Sequence, residues 1–340
     1  MKESKVKQGN KPTIRTVAER AEVSLTTVSY VLSGRSGGTA RISEATQRRV
    51  HDAVAQLGYV PNQAARGMRR GRTDLVAVAI GDLEWPWDRS LATAAARILP
   101  EYGYQPVILL GDAWRNFMLS GGADGVILGY IPAGLSEDPT MTELARRGVA
   151  QVVVSEVMEP KGFDVLAPQP QDGIAEGMDF LTASHRRIGC IRRLDQPMPG
   201  QSSRFSSYVA GLERAGIELD MELVRTSNHA KDQAYTAALE LLSLQERPTA
   251  ILATDDMEAL QAVRAAHRLG LKVPEDIQII GVGNSTESPD SDPALTTIGP
   301  EPIFEQVVTM LVDRLAGRTA PEGIRVPATW SLQLRETTRN

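Results

Sequence analysis

The chain has 340 residues, 42% hydrophobic and 23% charged, with a formal net charge of −5 and a single cysteine. That length leaves room for a small module beside one or two larger domains with cores of their own. Cys190, in the strand-like run Arg-Ile-Gly-Cys-Ile, has no partner for an intramolecular disulfide and reads as a buried core thiol. The lack of an apolar N-terminal run, or of any apolar stretch of about 18 residues, speaks against a secretory signal and a membrane span, so a cytoplasmic location is expected.

Charge is divided unevenly along the chain. Residues 1–72 hold 14 of the 37 Lys+Arg but only 5 of the 42 Asp+Glu, which leaves 23 basic against 37 acidic residues in the remainder. A basic head on an acidic body is the electrostatic footprint of a phosphate-binding module. Residues 1–11 carry no apolar periodicity and read as a disordered basic tail. Residues 12–58 then read as a helix-turn-helix. Pro12 and Thr13 open a first helix with Val17, Ala18 and Ala21 on its inner face. Glu22 and Val23 make the turn, and Ser24 caps a second helix whose Val28, Val31 and Leu32 face inward. Ser43 caps a third, with Ala45, Val50, Val54 and Leu57 as the expected apolar stripe. The second helix of such a unit enters the major groove by its N-terminal residues. Leu25, Thr26 and Tyr30 point away from the inward set and are the base-reading candidates: leucine for a thymine methyl, threonine and tyrosine for base edges or phosphate. Thr13, Ser24, Thr27 and Ser29 complete the candidate DNA contacts on the head.

Four blocks, in this order and spacing, resemble the lactose-repressor (LacI/GalR) family: Val23-Ser24-x-x-Thr27-Val28-Ser29, Ile42-Ser43-x-x-Thr46, Leu57-Gly58-Tyr59-x-Pro61-Asn62 and Ala65-Arg66-x-Met68-Arg69. The resemblance runs over nearly the whole chain. It implies that residues 59–72 are a hinge, folding into a short helix when two protomers sit on an operator and entering the minor groove there. On that reading Asn62 starts the helix, Ala65 faces the groove, Arg66 and Arg69 add DNA contacts, and Met68 replaces the usual wedge leucine. Gly67 and Gly71 raise the cost of ordering such a helix, by roughly 1 kcal/mol each. Two departures bear on DNA reading. Tyr30 stands where the family often has an arginine, which predicts an altered base preference. Glu22 stands where it usually has glycine, which predicts strain on the order of 1 kcal/mol if that residue takes positive φ.

From residue 74 the pattern alternates. Strands are expected at 75–80, 105–110, 125–128, 151–155, 187–192, 250–253 and 277–282, and helices at 90–102, 173–183, 203–215 and 258–269. Such alternation argues parallel sheets with right-handed crossovers, in two passes that look like a loose repeat. The fold class is therefore an α/β body of two doubly wound parallel-sheet subdomains with an N-terminal all-α head. The resemblance implies the arrangement of periplasmic binding proteins, with three crossovers. Residues 73–172 plus 299–324 would form the first subdomain and 173–298 plus 325–340 the second, completed by a terminal strand at 325–334. No leucine heptads follow that strand, so a homodimer and hence a palindromic operator are expected.

Open α/β folds bind ligands at the C-terminal ends of strands, here in the cleft between the halves. That places residues 81–87, 129–130, 155–156, 204–208, 255–256 and 283–284 at the cleft. Polar anchors common in sugar-responsive relatives are replaced by Tyr208, Gly283 and Ser155. Trp85, Trp87, Tyr130 and Tyr208 could stack on a sugar or nucleobase, pack the cleft shut, or sit in the dimer face. Ser155, Arg204, Asp255, Asp256 and Asn284 complete the candidate effector set. The Asp112-to-Gly122 connection looks short, which suggests a truncated helix. No catalytic set is apparent. Asp255 or Asp256 reads as a helix cap, Gly281-x-Gly283 lacks a third glycine, and His51, His185, His229 and His267 show no metal-ligand spacing, so no cofactor or metal is implied. The expected function is that of a DNA-bound transcription regulator, most often a repressor, controlled by a small-molecule effector such as a sugar or nucleoside. The rivals are control by a protein partner, loss of effector response, and an enzymatic body with the head as a localiser.

Overall fold

The computed structural model describes residues 12–33, 42–60, 71–129, 138–193, 203–227, 231–300 and 303–339. They fall in two compact units divided between Thr73 and Asp74. In the first, α1 (Ile14–Ala21), α2 (Leu25–Ser33) and α3 (Glu44–Leu57) pack around Val17, Ala18, Ala21, Val28, Val50 and Ala53. Thr13 caps α1 with a reciprocal box to Thr16, and Ser43 caps α3 by accepting from the Thr46 amide. Glu22 closes α1 in the left-handed region, at φ 53°, where a side chain is strained. The expected stripe on α3 needs one correction: Ala45 is exposed. It lies five residues before Val50, off the helical face that Thr46, Val50, Ala53, Val54 and Leu57 share at three- and four-residue steps.

The second unit contains two six-stranded sheets. Its elements in order are β1 (Leu75–Ile80), α4 (Pro86–Ile98) with a 3-10 turn at Leu99–Tyr102, β2 (Gln105–Leu110), α5 (Ala113–Leu119), β3 (Gly125–Leu128), α6 (Pro139–Arg146), β4 (Ala150–Val154) and β5 (Asp164–Gln169). The chain then crosses to α7 (Gln171–Ser184), β6 (Ile188–Arg193), α8 (Arg204–Arg214), β7 (Val224–Ser227), α9 (Lys231–Leu242), β8 (Ala250–Ala253), α10 (Asp256–Arg268), β9 (Gln278–Val282) and β10 (Thr296–Gly299). It returns through α11 (Ile303–Leu315) to β11 (Arg325–Thr329) and ends in β12 (Ser331–Gln333). The sheet orders are β11-β5-β4-β3-β1-β2 and β12-β10-β9-β8-β6-β7, so both passes wind the same way. Every pairing is parallel except β10 with β12.

The proposed terminal strand is corrected. Residues 325–329 pair in parallel with β5 and belong to the first sheet, and only Ser331–Gln333 reaches the second. Buried Trp330 marks the crossing. Pro327 is tolerated because β11 lies at a sheet edge, where a missing N–H costs little. The first body helix starts four residues earlier than the periodicity suggests. Pro86 sits at its N-terminus with φ preset, and buried Asp88 in its first turn accepts the amides of Gly81 (2.8 Å) and Asp82 (2.9 Å). The short connection after Asp112 holds the seven-residue α5. Cys190 is buried and free, and burial pushes its thiol pKa up.

Candidate nucleic-acid interface and ligand cleft

On the head, the start of α2 is held from behind and open in front. The Thr27 amide donates to Ser24 Oγ at 3.0 Å, and the two hydroxyls lie 2.8 Å apart. That cap orients the first turn while Val28 anchors it in the core. Leu25 is 44% exposed and Tyr30 40%, with Thr26 exposed between them. Thr13 and Ser24 are exposed, whereas Thr27 and Ser29 are half-buried, and the Thr27 hydroxyl is already engaged by Ser24. An exposed leucine, two hydroxyl-bearing side chains and a helix N-terminus form a surface able to meet base edges and phosphate. The hinge candidates Asn62, Ala65, Arg66, Met68 and Arg69 lie outside the described residues, as does Tyr130.

The body places the other candidates around the C-terminal ends of the strands, and the cleft there is crossed by the chain's own side chains. From the first sheet's side come Trp85, Trp87, Asp88, Arg89, Ser90 and Glu156; from the second come Arg193, Arg204, Asp255 and the loop after β9. Arg193, the last residue of β6, holds its guanidinium 3.9 Å from the Trp85 ring centre and donates to Asp255 Oδ2 at 3.5 Å. Arg204 donates to Glu156 at 3.3 Å and to the Thr254 carbonyl at 2.9 Å, and lies over the Trp330 ring at 5.1 Å. Ser90 Oγ lies 2.9 Å from Thr286 Oγ1 and accepts the Thr286 amide at 3.0 Å, and beside it Arg89 pairs with Glu287. Trp87 packs on Phe304 and Trp330 at 4.8 and 5.7 Å. The indole N–H of Trp330 is buried without a hydrogen-bond partner among the described residues.

Two expected effector residues are corrected. Tyr208 is fully buried, lies 5.8 Å from Phe205 in a stacked pair, and donates its hydroxyl to the Ile188 carbonyl at 2.8 Å, so it is core. Asp256 is buried too, spent on the Ser285 amide (2.8 Å), Ser288 Oγ (2.9 Å) and the Thr297 hydroxyl, and burial raises its pKa. It clamps the loop that carries Thr286 and Glu287. Gly283 starts that loop at φ 143°, with Asp256 3.3 Å from where a Cβ would stand, so an aspartate there would be both strained and repelled. Asp255 is the helix cap, accepting the Met257 amide at 3.2 Å, and also meets Arg193 and Arg204. Ser155 braces a turn by accepting from the Val157 and Met158 amides, and Asn284 accepts from Arg335 at 2.7 Å.

Asp88, Arg193 and Trp330 are missing from the sequence-derived set. Arg193 obeys the same strand-end rule, and ending the expected strand one residue early hid it. Burial drives the Asp88 pKa up to about 6, with the amides of Asp82 and Gly81 opposing, Asp255 adding to the rise and Arg193 opposing it. Glu258 is also driven up by burial, to about 8, with Asp255 reinforcing and Ser227 and Arg193 opposing. Among the described residues no His/Cys/Asp/Glu group is arranged to hold a metal ion, and no helix is long and apolar enough to cross a membrane.

Residues 13–62 match the family described as bacterial regulatory proteins, lacI family, and residues 179–338 match the periplasmic binding protein-like domain. The chain is 30% identical over 350 residues to the HTH-type transcriptional regulator CelR of Thermobifida fusca, covering 96% of this chain and 98% of that one. It is 29% identical over 337 residues to the HTH-type transcriptional repressor CytR of Escherichia coli (strain K12), covering 94% of each. A solved transcriptional regulator CelR–cellobiose complex matches with a TM-score of 0.63 at 27% identity, over 96% of this chain and 100% of that chain. The lac repressor dimer bound to operator and the anti-inducer ONPF shares the fold, with a TM-score of 0.72 at 23% identity, over 97% of this chain and 100% of that chain.

Proposed function

The chain belongs to the lacI family of bacterial transcription regulators, and from that premise we propose that it is a cytoplasmic repressor that binds a palindromic operator as a homodimer, under the control of a small molecule taken up between its two subdomains. The observation that carries this reading is the start of α2, where Leu25, Thr26 and Tyr30 stand exposed on a helix turn capped by Ser24 and anchored by Val28. Leu25 and Thr26 are assigned to base edges, Tyr30 to a base or phosphate, and Thr13, Ser24, Thr27 and Ser29 to the backbone. Residues 12–58 form the reading domain on this proposal and 59–72 the hinge. Asn62, Ala65, Arg66, Met68 and Arg69 enter the minor groove, with Met68 as the wedge.

Selection of duplexes from a randomised pool by the full-length protein tests it. A two-fold symmetric consensus is expected, with Thr26→Ala relaxing one position of each half-site by roughly 1–3 kcal/mol. Enrichment of no sequence, or of an unpaired half-site, would sink the operator reading. Met68→Gly should weaken operator binding far more than non-specific binding, and equal losses would remove the wedge.

The body acts as a binding module without turnover on this proposal: Asp255 and Asp256, its candidate carboxylate pair, are occupied as helix cap and loop clamp. A second reading, a body with no effector or one controlled by a protein partner, is favoured by the Ser90–Thr286 and Arg89–Glu287 contacts that already bridge the cleft. A thermal-shift panel of sugars, nucleosides and amines on the full chain separates the two. Ligand at about 100 times its Kd should add roughly 2.7 kcal/mol of stability.

A further inference from the structure

We propose that the cleft is a cation seat which the chain fills with its own Arg193 guanidinium, and that the ligand it takes is a small molecule bearing a guanidinium or primary amine, which displaces Arg193. The inference rests on the cleft being the ligand site. One wall of the seat is the face of Trp85, 3.9 Å from the guanidinium carbon, which is the geometry of a strong cation–π contact. Acidic groups share the seat: Asp255 receives Arg193 Nη1 at 3.5 Å, and the buried carboxyls of Asp88 and Glu258 both feel the charges of Arg193 and Asp255. Glu258 accepts from Ser227 through Oε1, and its Oε2 is buried with no hydrogen-bond partner among the described residues, so this side of the seat holds a polar atom that an incoming cation could satisfy. Arg204, the other guanidinium within reach of Asp255, is 3.9 Å from it and already committed to Glu156 and the Thr254 carbonyl.

The charges decide the class of ligand. Taking Arg193 out removes the cation that faces Asp255 beside the Trp85 ring and that opposes the upward shifts of Asp88 and Glu258; among the described contacts, the other cation at Asp255 is Arg204, already paired with Glu156. A neutral sugar there would leave that charge uncompensated and an anion would add to it, and buried charge without a partner is costly. A guanidinium or ammonium restores what was removed. A sugar or nucleoside would qualify only if it carried such a group.

The test is chemical rescue of the full-length protein. Arg193→Ala should bind methylguanidinium chloride saturably in the millimolar range, read by tryptophan fluorescence and by a rise in Tm, with potassium chloride as the ionic-strength control. Wild type, competing with its tethered guanidinium, should need at least tenfold more. Neutral methylurea should give no response, and adding Trp85→Leu should weaken the rescue at least tenfold. Methylurea rescuing as well as methylguanidinium, or no response above the salt control, would overturn the seat. Should Arg193→Ala fail to fold, Arg193→Gln keeps a polar stem and carries the same titration with the same two outcomes. Operator binding is measured separately. Rescue without any change in DNA affinity would support the seat while removing its role as the effector site, so the two readings fail independently.

Discussion

The head and the cleft use similar side chains to opposite ends. The buried set of the head is wholly apolar (Val17, Ala18, Ala21, Val28, Val50 and Ala53), and the hydroxyls of its second helix lie at or near the surface. The cleft buries Asp88, Asp255, Asp256 and Glu258 and answers them with amides, hydroxyls and guanidiniums of its own. A surface of the first kind awaits a partner that brings the missing charge and hydrogen bonds. A site of the second kind already contains them, so a ligand has to exchange for an internal contact, and its selectivity lies in what it must replace. Substitutions that remove internal partners should therefore be severe in the cleft and mild in the head.

The largest effect is expected at Asp256. Replacing it with alanine strands the Ser285 amide and two hydroxyls that now donate to it, and frees the loop carrying Thr286 and Glu287. A loss of roughly 3–5 kcal/mol is expected, a fall in the body's Tm on the order of 10 °C. A change within about 1 kcal/mol by calorimetry would mean that the buried network is not what holds the cleft, and the contrast with the head would collapse.

Asp88 sharpens the same contrast through pH. Its folded pKa of about 6 lies above the ordinary 3.8, so between these values the native carboxyl stays protonated while the unfolded one ionises. The stability this contributes is fully present below pH 3.8 and lost as pH rises through about 6. Asp88→Asn keeps an acceptor for the Gly81 and Asp82 amides without the charge. Its stability relative to wild type should be flat in acid, rise across that window and level off near neutrality at roughly 1–3 kcal/mol in its favour. A difference that stays flat from pH 4 to 7 in denaturant titrations would show the carboxylate to be better solvated than its burial implies.

The two regions were not equally legible. The head could be read because its logic is local: caps at Thr13, Ser24 and Ser43 sit next to the helices they start, and three- and four-residue spacing picks out the buried face. Ala45 is apolar but stands five residues before Val50, a step that leaves the buried face, so residue type alone misleads there. In the body, β1, β2 and β3 are short apolar runs and were found, as was the double winding. β5 was not: it begins with Asp164, buried against Arg314 from a helix 150 residues away, and contains Pro168. The cleft depended on pairings of that long-range kind. Tyr208 reads as an aromatic beside a pocket until its hydroxyl is seen to reach Ile188, and Arg193 reads as a strand end until it is seen to lie on Trp85.

Smaller effects are expected in the head. Ser24→Ala removes the cap of α2 and should cost about 1 kcal/mol, seen as weaker hydrogen-exchange protection of head amides in the full chain with the body's protection unchanged. A loss that spread to the body would mean that the two units do not unfold independently.

The smallest effect belongs to Glu22, where, as at Asp88, the substitution is expected to stabilise. Its φ of 53° and ψ of 48° let its amide reach the Ala18 and Glu19 carbonyls and close α1, but a side chain in that region costs on the order of 1 kcal/mol. Glycine removes the strain while loosening the unfolded chain, so Glu22→Gly should stabilise the head by somewhat less than that, about 0.5 kcal/mol. The substitution also deletes a negative charge from a surface proposed to meet phosphate, and operator affinity alone would confuse the two causes. Glu22→Asn and Glu22→Ala separate them, since both are neutral but only asparagine tolerates the left-handed region. If the backbone is responsible, hydrogen exchange should rank glycine and asparagine above wild type and alanine at or below it. If alanine stabilises as much as glycine, the gain is electrostatic, and the head would share with the cleft a dependence on charge balance that its apolar core conceals.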